Sequence, residues 1–470
     1  MNKKSVRVRF APSPTGLMHL GNIRTALLNY LFAKNRNGTF ILRIEDTDRQ
    51  RNFDPGGKKI LADLDWLSLS FNEGPFFQSE RTALYQEKLK ELQEKGCSYR
   101  CFCTQEELEK KRQRQIALKQ PPRYDRTCLK LSKDEIAEKL AQHVPFIWRM
   151  KLDPSEKITI QDMARGPITF ELKNFSDFPL TRQDGSATFM FANFVDDADM
   201  HITHVLRGED HLTNTAGQAA LYKALGLELP IFWHLPILCN IEGKKLSKRD
   251  FGFSLHDLRQ AGYLPEAICN YLATIGGGTF KNEIMSLDEL ARAMDFEHIP
   301  TSGQIKYDVE KLRWVNHKWI ERISPELLVN YTKPFLIQTY PQAAELDEVI
   351  LSKLLQVIKT EMVTLDDAAP HLKFYFEAPQ ITKKELESVI DNQQLPMVIA
   401  IIKKHLDCLG DTESCITKMK KSAKEQGASI KSLFTGIRMG LMGKAHGPGV
   451  VELINMLGID ESKKRLEKLI

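Results

Sequence analysis

The first fifty residues constrain this chain more than any other segment. Val6-Arg7-Val8-Arg9-Phe10 alternates apolar and charged residues with the period of two that a β-strand needs. Ala11-Pro12-Ser13-Pro14-Thr15-Gly16-Leu17-Met18 follows, and its two prolines and glycine predict a turn-rich loop. Residues 21–36 then place Ile23, Leu27, Leu28, Leu31 and Phe32 on one side of a helix. Residues 40–44 form a second apolar run of strand length. Strand, helix, strand over so short a stretch predicts a parallel βαβ unit.

Further along, helices are expected over residues 81–95 and 104–119, the second heavily charged and ended by Pro121-Pro122. Residues 145–182 mix short strand-like runs with turns. Residues 189–207 are apolar strand or helix material ending in Ile202-Thr203-His204-Val205-Leu206-Arg207. Residues 231–241 are apolar again, and a glycine-and-lysine loop follows at 243–252. From about residue 320 the pattern is helical to the end. A length of 470 residues allows about three domains at ~150 residues each. Apolar residues at 42% and charged residues at 27% exclude disordered and fibrous classes. Lys plus Arg is 66 against 61 for Asp plus Glu, and the resulting +5 permits a nucleic-acid partner without demanding one. No apolar run approaches the ~18 residues of a membrane helix. The N-terminus runs straight into the first strand, leaving no room for a signal peptide, so a cytoplasmic location is expected. Eight cysteines in such a length do not make a disulfide framework, and a cysteine cluster here is better read as metal or redox chemistry.

Two segments carry candidate chemistry. Ser13-Pro14-Thr15-Gly16-Leu17-Met18-His19-Leu20-Gly21-Asn22 follows a strand and opens a helix, where unpaired N–H groups and the positive dipole end suit phosphate. Gly243-Lys244-Lys245-Leu246-Ser247-Lys248-Arg249 is a cationic loop able to neutralise a transferring phosphoryl group. Taken singly, the first also fits a plain turn before a helix and the second a solvated charge run. No Walker A and no GxGxxG pattern is present.

Together the two segments resemble the paired signatures of class I aminoacyl-tRNA synthetases. Arg9-Phe10-Ala11-Pro12-Ser13-Pro14-Thr15-Gly16, Leu42-Arg43-Ile44-Glu45-Asp46-Thr47-Asp48, Val205-Leu206-Arg207-Gly208-Glu209-Asp210-His211 and Gly443-Lys444-Ala445-His446-Gly447-Pro448-Gly449 look like blocks of the bacterial glutamyl-tRNA synthetases, in that family's order and over nearly the whole chain. The resemblance implies an α/β class I Rossmann catalytic domain with an insertion, followed by an all-α C-terminal anticodon-binding domain. Its first half would cover residues 1–81, an acceptor-binding insertion 82–188, the second half with the lysine loop 189–254, a stem-contact segment 255–322 and the helical anticodon-binding domain 323–470. The implied activity is glutamate–tRNA ligase. L-glutamate and ATP give glutamyl-adenylate and pyrophosphate in a tRNA-dependent step, and the glutamyl group passes to the 3′ end of tRNA for translation. ATP implies Mg²⁺. The implied partners are L-glutamate and the glutamate isoacceptor, with the glutamine isoacceptor left open, no membrane, and a monomeric enzyme.

By the same resemblance, His19, Gly21, Lys245 and Lys248 are the catalytic set, and they hold ATP together with Ser247 and Arg249. Arg9, Ala11, Ser13, Glu45, Phe189, Asn193 and Arg207 line the glutamate pocket. Glu45 is a carboxylate suited to the substrate ammonium, and Arg207 is a cation suited to its side-chain carboxylate, although an ion pair with Glu209 or Asp210 is an alternative for Arg207. Phe189 stands where many relatives have tyrosine, which removes one hydrogen bond worth ~1 kcal/mol. Cys101, Cys103 and Cys128, with Tyr124 as a fourth ligand, form a candidate structural Zn²⁺ site. Lys130 replaces the histidine of zinc-binding relatives, and Cys97 is another available donor. Among rivals, the short relative that glutamylates a tRNA base lacks the C-terminal half. Arg207 argues against a glutaminyl enzyme, and intact His19, Lys245 and Lys248 argue against a non-catalytic tRNA-binding paralogue.

Overall fold

The structure is a computed structural model that describes residues 5–469 except 49–51, 55, 248, 277–279 and 299–302. The N-terminal pattern becomes β1 (Arg7–Phe10), α1 (Leu20–Asn35), β2 (Thr39–Ile44), α2 (Lys58–Trp66) and β3 (Glu73–Phe77). β2 pairs in parallel with β1 on one side and β3 on the other. The alternation in β1 does not put Arg9 in water: it is 3% exposed, because a buried carboxylate receives it. α1 starts at His19, whose side chain caps it, and buries Ile23, Leu27, Leu28 and Leu31 against the sheet unit. The turn out of α1 requires glycine at 38. A Cβ there would sit 2.4 Å from the Val6 carbonyl oxygen, so only glycine lets the start of β2 lie against β1.

The next stretch holds α3 (Thr82–Glu94), β4 (Ser98–Cys101), α4 (Gln105–Ala117), α5 (Lys133–Ala141), β5 (Ile147–Met150), β6 (Lys157–Asp162) and β7 (Gly166–Glu171). β4 pairs antiparallel with β5, and β6 with β7. α4 buries none of its residues; a Thr104–Glu107 capping box fixes its start. The apolar stretch 189–207 resolves into both structures at once, α6 (Phe189–Asp199) and β8 (His204–Gly208), followed by α7 (Leu212–Leu225) and β9 (Ile231–Leu235). β8, β9 and β6 run parallel in a sheet ordered β7-β6-β9-β8. Its core contains Phe191, Phe194, Val205, Tyr222 and Phe232. The two sheets are joined where the Thr203 N–H donates to the Arg7 carbonyl at 3.0 Å and the Arg7 N–H donates to Thr203 Oγ1 at 2.9 Å. Beyond lie β10 (Leu238–Cys239), α8 (Leu255–Gln260), α9 (Pro265–Thr274), α10 (Leu287–Ala293), β11 (Ile305–Lys306), which pairs with β10, and α11 (Val309–Ile320).

The chain divides into two compact units: residues up to 259 with 265–312, and residues 260–264 with 313–470. Among its described residues the second unit is helical, from Pro325–Thr339 to Ile459–Glu467. It buries Leu328, Leu336, Leu351, Leu355, Leu433 and Leu453. Its buried Arg465 donates to the Phe374 and Leu441 carbonyls, closing two helix ends. Cys408 and Cys415 form a disulfide, and the other six cysteines are free.

α6 is held to the first sheet by Asp196, which is fully buried. It accepts from Gln78 Nε2 at 2.8 Å, Arg81 Nε at 2.7 Å and the Tyr85 hydroxyl at 2.9 Å, and lies 3.7 Å from Arg43 Nε. Removing it leaves buried donors unpaired, including a charge. Asp196→Ala is therefore expected to cost ~3–5 kcal/mol, seen as earlier loss of hydrogen-exchange protection in α3 and α6 on titrating urea. Unchanged protection in both helices would contradict this.

Candidate active site

β1, β2, β8 and β9 deliver their carboxyl ends to one cavity of about 950 Å³, lined by Phe10, Glu45, Gly208 and Leu235 among others. This is where an open parallel sheet offers a crevice. Arg9, Ala11, Ser13, Glu45, Phe189, Asn193 and Arg207, expected to share one pocket, all line it, as do His19, Gly21 and Lys245. Ser247 and Arg249 do not line it, and Lys248 lies outside the described residues.

One end of the cavity is a buried charge cluster. Asp197 on α6 receives Arg9 Nε at 3.0 Å and Nη2 at 3.2 Å, and Arg43 Nη1 at 2.7 Å. Burial disfavours its charge, but the two guanidinium groups outweigh that and hold its carboxyl below the usual range. Glu45 accepts from Asn193 Nδ2 at 2.7 Å and from Arg43 Nη2 at 3.3 Å, and Gln218 Nε2 orients the Asn193 amide through its Oδ1 at 2.8 Å. Burial pushes Glu45 up, with Arg43, Asn193 and Arg9 opposing. Arg207 differs from the other two arginines. Its Nη2 donates to Thr215 Oγ1 at 2.7 Å, its Nε has no partner, and no carboxylate pairs with it among the described residues. Glu209 pairs with Arg165 and Asp210 with Lys245, so the ion-pair alternative for Arg207 is not what forms. Burial, reinforced by Arg9, pushes the Arg207 guanidinium down to about 9. The site thus contains a buried cation short of an anion. The Phe189 ring packs 5.6 Å from the His211 ring, where a tyrosine would add a hydroxyl.

The other end is built by the start of α1. His19 Nδ1 accepts the N–H groups of Gly21 at 3.1 Å and Asn22 at 3.3 Å. A nitrogen that accepts cannot carry the proton, so Nε2–H is left to donate. Burial, helped by the Lys245 charge and opposed by Asp210, pushes the imidazole below its ordinary value. A neutral ring with one donor is the result. What a side chain at 21 would meet is the His19 ring, at 3.0 Å, so this glycine protects the cap itself. Backbone bonds from Leu20 to Phe253 and from Leu255 to Met18 tie this loop to the segment after the lysines. Lys245 Nζ lies 3.5 Å from Asp210 Oδ2, and Asp250 caps Ser247 through its N–H and hydroxyl.

Apart from the cavity, Cys101, Cys103 and Cys128 bring their sulfur atoms within 4.8 Å of one another. The Tyr124 hydroxyl lies 3.3 Å from Cys101 Sγ and 3.7 Å from Cys103 Sγ, and Cys103 Sγ is 3.6 Å from Cys128 Sγ. Tetrahedral zinc with bonds of ~2.3 Å separates its sulfurs by ~3.8 Å, so this set fits zinc. Hydrogen bonds from Cys128, Tyr124 and Arg149 pull the Cys101 thiol down against burial, while Cys128 is pushed up. Cys97 instead faces the Lys95 carbonyl. Arg43, Asp196, Asp197, Thr215 and His234 were not singled out from sequence. The one usable signal was a charged residue inside each apolar run, Arg43 in β2 and the Asp196-Asp197 pair in α6.

Comparison with known proteins places these features in context. The model for tRNA synthetases class I (E and Q), catalytic domain, matches residues 5–314, and an anticodon binding domain matches residues 327–470. The chain is 38% identical to a glutamate–tRNA ligase of Listeria innocua over 99% of this chain and 98% of that one. It is 36% identical to one of Bacillus licheniformis over 99% of both. A glutamate tRNA ligase from Elizabethkingia meningosepticum crystallised with its amino acid superposes with a TM-score of 0.89 at 30% identity, covering 99% of each chain. A glutamate-tRNA synthetase from Elizabethkingia anophelis gives 0.87 at 30%, covering 99% of this chain and 100% of that one.

The His19 geometry has a direct readout. In protein labelled at histidine nitrogen, His19 is expected to show the Nε2–H form at pH 7 and a titration midpoint below 6.5. Lys245→Met removes a cation that opposes ring protonation, so the midpoint should rise. A midpoint that falls, or an Nδ1–H form, would contradict the assignment.

Proposed function

The chain belongs to the class I tRNA synthetases for glutamate and glutamine, and from that membership we propose that it is a glutamate–tRNA ligase. It activates L-glutamate with ATP and transfers the glutamyl group to the 3′ end of tRNA. The substrate carboxylate is itself the nucleophile, so the protein works by positioning and by stabilising charge. The observation that carries the choice of glutamate is Arg207, buried on the cavity wall without a carboxylate of its own. A substrate γ-carboxylate supplies the missing anion; a neutral amide would turn its NH₂ toward guanidinium donors. Glu45 takes the ammonium group at the same end. His19 gives its Nε2–H to a phosphate oxygen, and Lys245, released from Asp210, meets the phosphates together with Lys248. Mg²⁺ accompanies ATP.

Residues 82–188 are proposed to meet the acceptor end, 255–322 the stem, and 323–470 the anticodon. The tRNA proposed is the glutamate isoacceptor, with the glutamine isoacceptor left open, in a cytoplasmic, monomeric enzyme. Charging purified glutamate and glutamine isoacceptors reads the choice of tRNA. Cys101, Cys103, Cys128 and Tyr124 are proposed to hold one structural Zn²⁺.

ATP–pyrophosphate exchange should require glutamate and appear only when tRNA is added. Equal exchange with and without tRNA would overturn the tRNA-dependent step. Arg207→Ala removes one partner of a charged contact worth ~2–4 kcal/mol, so kcat/KM for glutamate should fall roughly 30- to 1000-fold. The preference over glutamine should narrow, and Arg207→Lys should recover only part. Near wild-type charging by Arg207→Ala would refute this role.

Elemental analysis of untagged protein should find about one zinc per chain. No zinc, with Cys101, Cys103 and Cys128 all freely titratable, would refute the metal site. Unchanged zinc affinity in Tyr124→Phe would remove the tyrosine alone.

A further inference from the structure

Behind Arg207 runs a file of buried polar side chains that none of these roles uses. Arg207 Nη2 donates to Thr215 Oγ1 at 2.7 Å, Thr215 Oγ1 lies 2.7 Å from His234 Nε2, and His234 Nδ1 lies 2.7 Å from Asp162 Oδ2. The members come from α7, β9 and the last position of β6. All three are buried, and none lines the cavity.

The direction of the hydrogen bonds is set from the far end. Asp162 Oδ1 accepts the N–H groups of Ala164 at 3.0 Å and Arg165 at 2.9 Å, and Oδ2 accepts the His234 N–H at 3.0 Å. Burial opposes its charge, but His234 and these donors outweigh it, so the carboxylate only accepts. His234 Nδ1 therefore carries the ring proton. Burial pushes this ring below its ordinary value, which leaves Nε2 as an acceptor. The Thr215 hydroxyl has one proton to give. His234 Nε2 at 2.7 Å is closer than the alternative, the His211 carbonyl at 3.2 Å, so the proton goes to the ring. The hydroxyl oxygen can then only accept from Arg207.

Arg9 and Arg43 are oriented by a carboxylate, which also cancels charge. Arg207 is oriented by a neutral hydroxyl whose own proton is committed elsewhere. That holds a long, flexible side chain in one plane without neutralising it, as paired donation to a carboxylate requires. We propose that Thr215, His234 and Asp162 are positioning residues that fix the guanidinium of Arg207 for the substrate γ-carboxylate. The proposal rests on the assignment of Arg207 to glutamate.

The test is exchange kinetics on the full chain with tRNA, measuring KM for glutamate and for ATP separately. Thr215→Val, of similar shape, should raise the glutamate KM about tenfold and leave the ATP KM within about twofold, measured well below the melting temperature of each variant, since the substitution also leaves two buried polar groups unpaired. Thr215→Ser, which keeps the hydroxyl, should return the glutamate KM to within about threefold of the wild type. In an Arg207→Ala background, Thr215→Val should add less than about twofold, because the group it positions is gone. If Arg207→Ala raises the glutamate KM but Thr215→Val does not, the positioning role is overturned and the role of Arg207 stands. If Thr215→Val raises both KM values alike and serine does no better, Thr215 is packing only and the proposal falls. If Arg207→Ala itself leaves the glutamate KM unchanged, the substrate assignment has failed and the positioning role falls with it.

Discussion

Asp197 is the hinge of the catalytic unit. One carboxylate, buried on α6, receives Arg9 from β1 and Arg43 from β2. Three segments far apart in sequence are thereby fixed at the carboxyl ends of the strands, where the cavity opens. The arrangement is stable only as a whole. An isolated buried guanidinium or carboxylate is costly, whereas a hydrogen-bonded cluster of both signs is tolerated. Glu45 and Asp196 extend the same cluster toward the cavity and toward α3 respectively.

Within this cluster, charge balance assigns work to individual side chains. Arg9 and Arg43 have their anions already, and Arg9 also lines the cavity. Arg207 has none, and burial, reinforced by Arg9, makes its guanidinium less willing to stay protonated. The same logic separates His19 from a generic surface histidine. Its Nδ1 is used by the helix start, and a neighbouring lysine discourages a second proton. Both residues are held in the form that a doubly charged or polyanionic ligand would complement, before any ligand arrives.

Much of this was legible in the sequence because it is local. The β1–α1–β2 unit follows from periodicity and the Pro/Gly loop, and the His19 cap falls at the predicted helix start. The Cys-x-Cys spacing, with Tyr124 four residues before Cys128, brought three sulfurs and a phenol together because the chain needs only α4 and the segment after it to return Tyr124 and Cys128 to the end of β4. The resemblance supplied the distant pairing of residues near 19 with residues near 245. The partners of the arginines were not legible. Arg9 meets Asp197 across 188 residues and Arg43 meets it across 154, and no spacing rule reaches that far. For Arg207, the nearby acids Glu209 and Asp210 looked adequate, yet both turn to other cations. Residues 189–207 were ambiguous because buried helix and buried strand are equally apolar; the Asp196-Asp197 pair belongs to a helix whose polar face is turned inward.

The bond between Thr203 and Arg7 that joins the two sheets also has a consequence in time. It spans 196 residues, so on a ribosome adding ~5–20 residues per second the first sheet waits roughly 10–40 s for its neighbour. Until then the side of β1 that will face β8 is uncovered, and Arg9 has no Asp197. A charged side chain holds water at a strand edge and disfavours sticking to other chains, so Arg9 suits that nascent edge until α6 emerges to receive it.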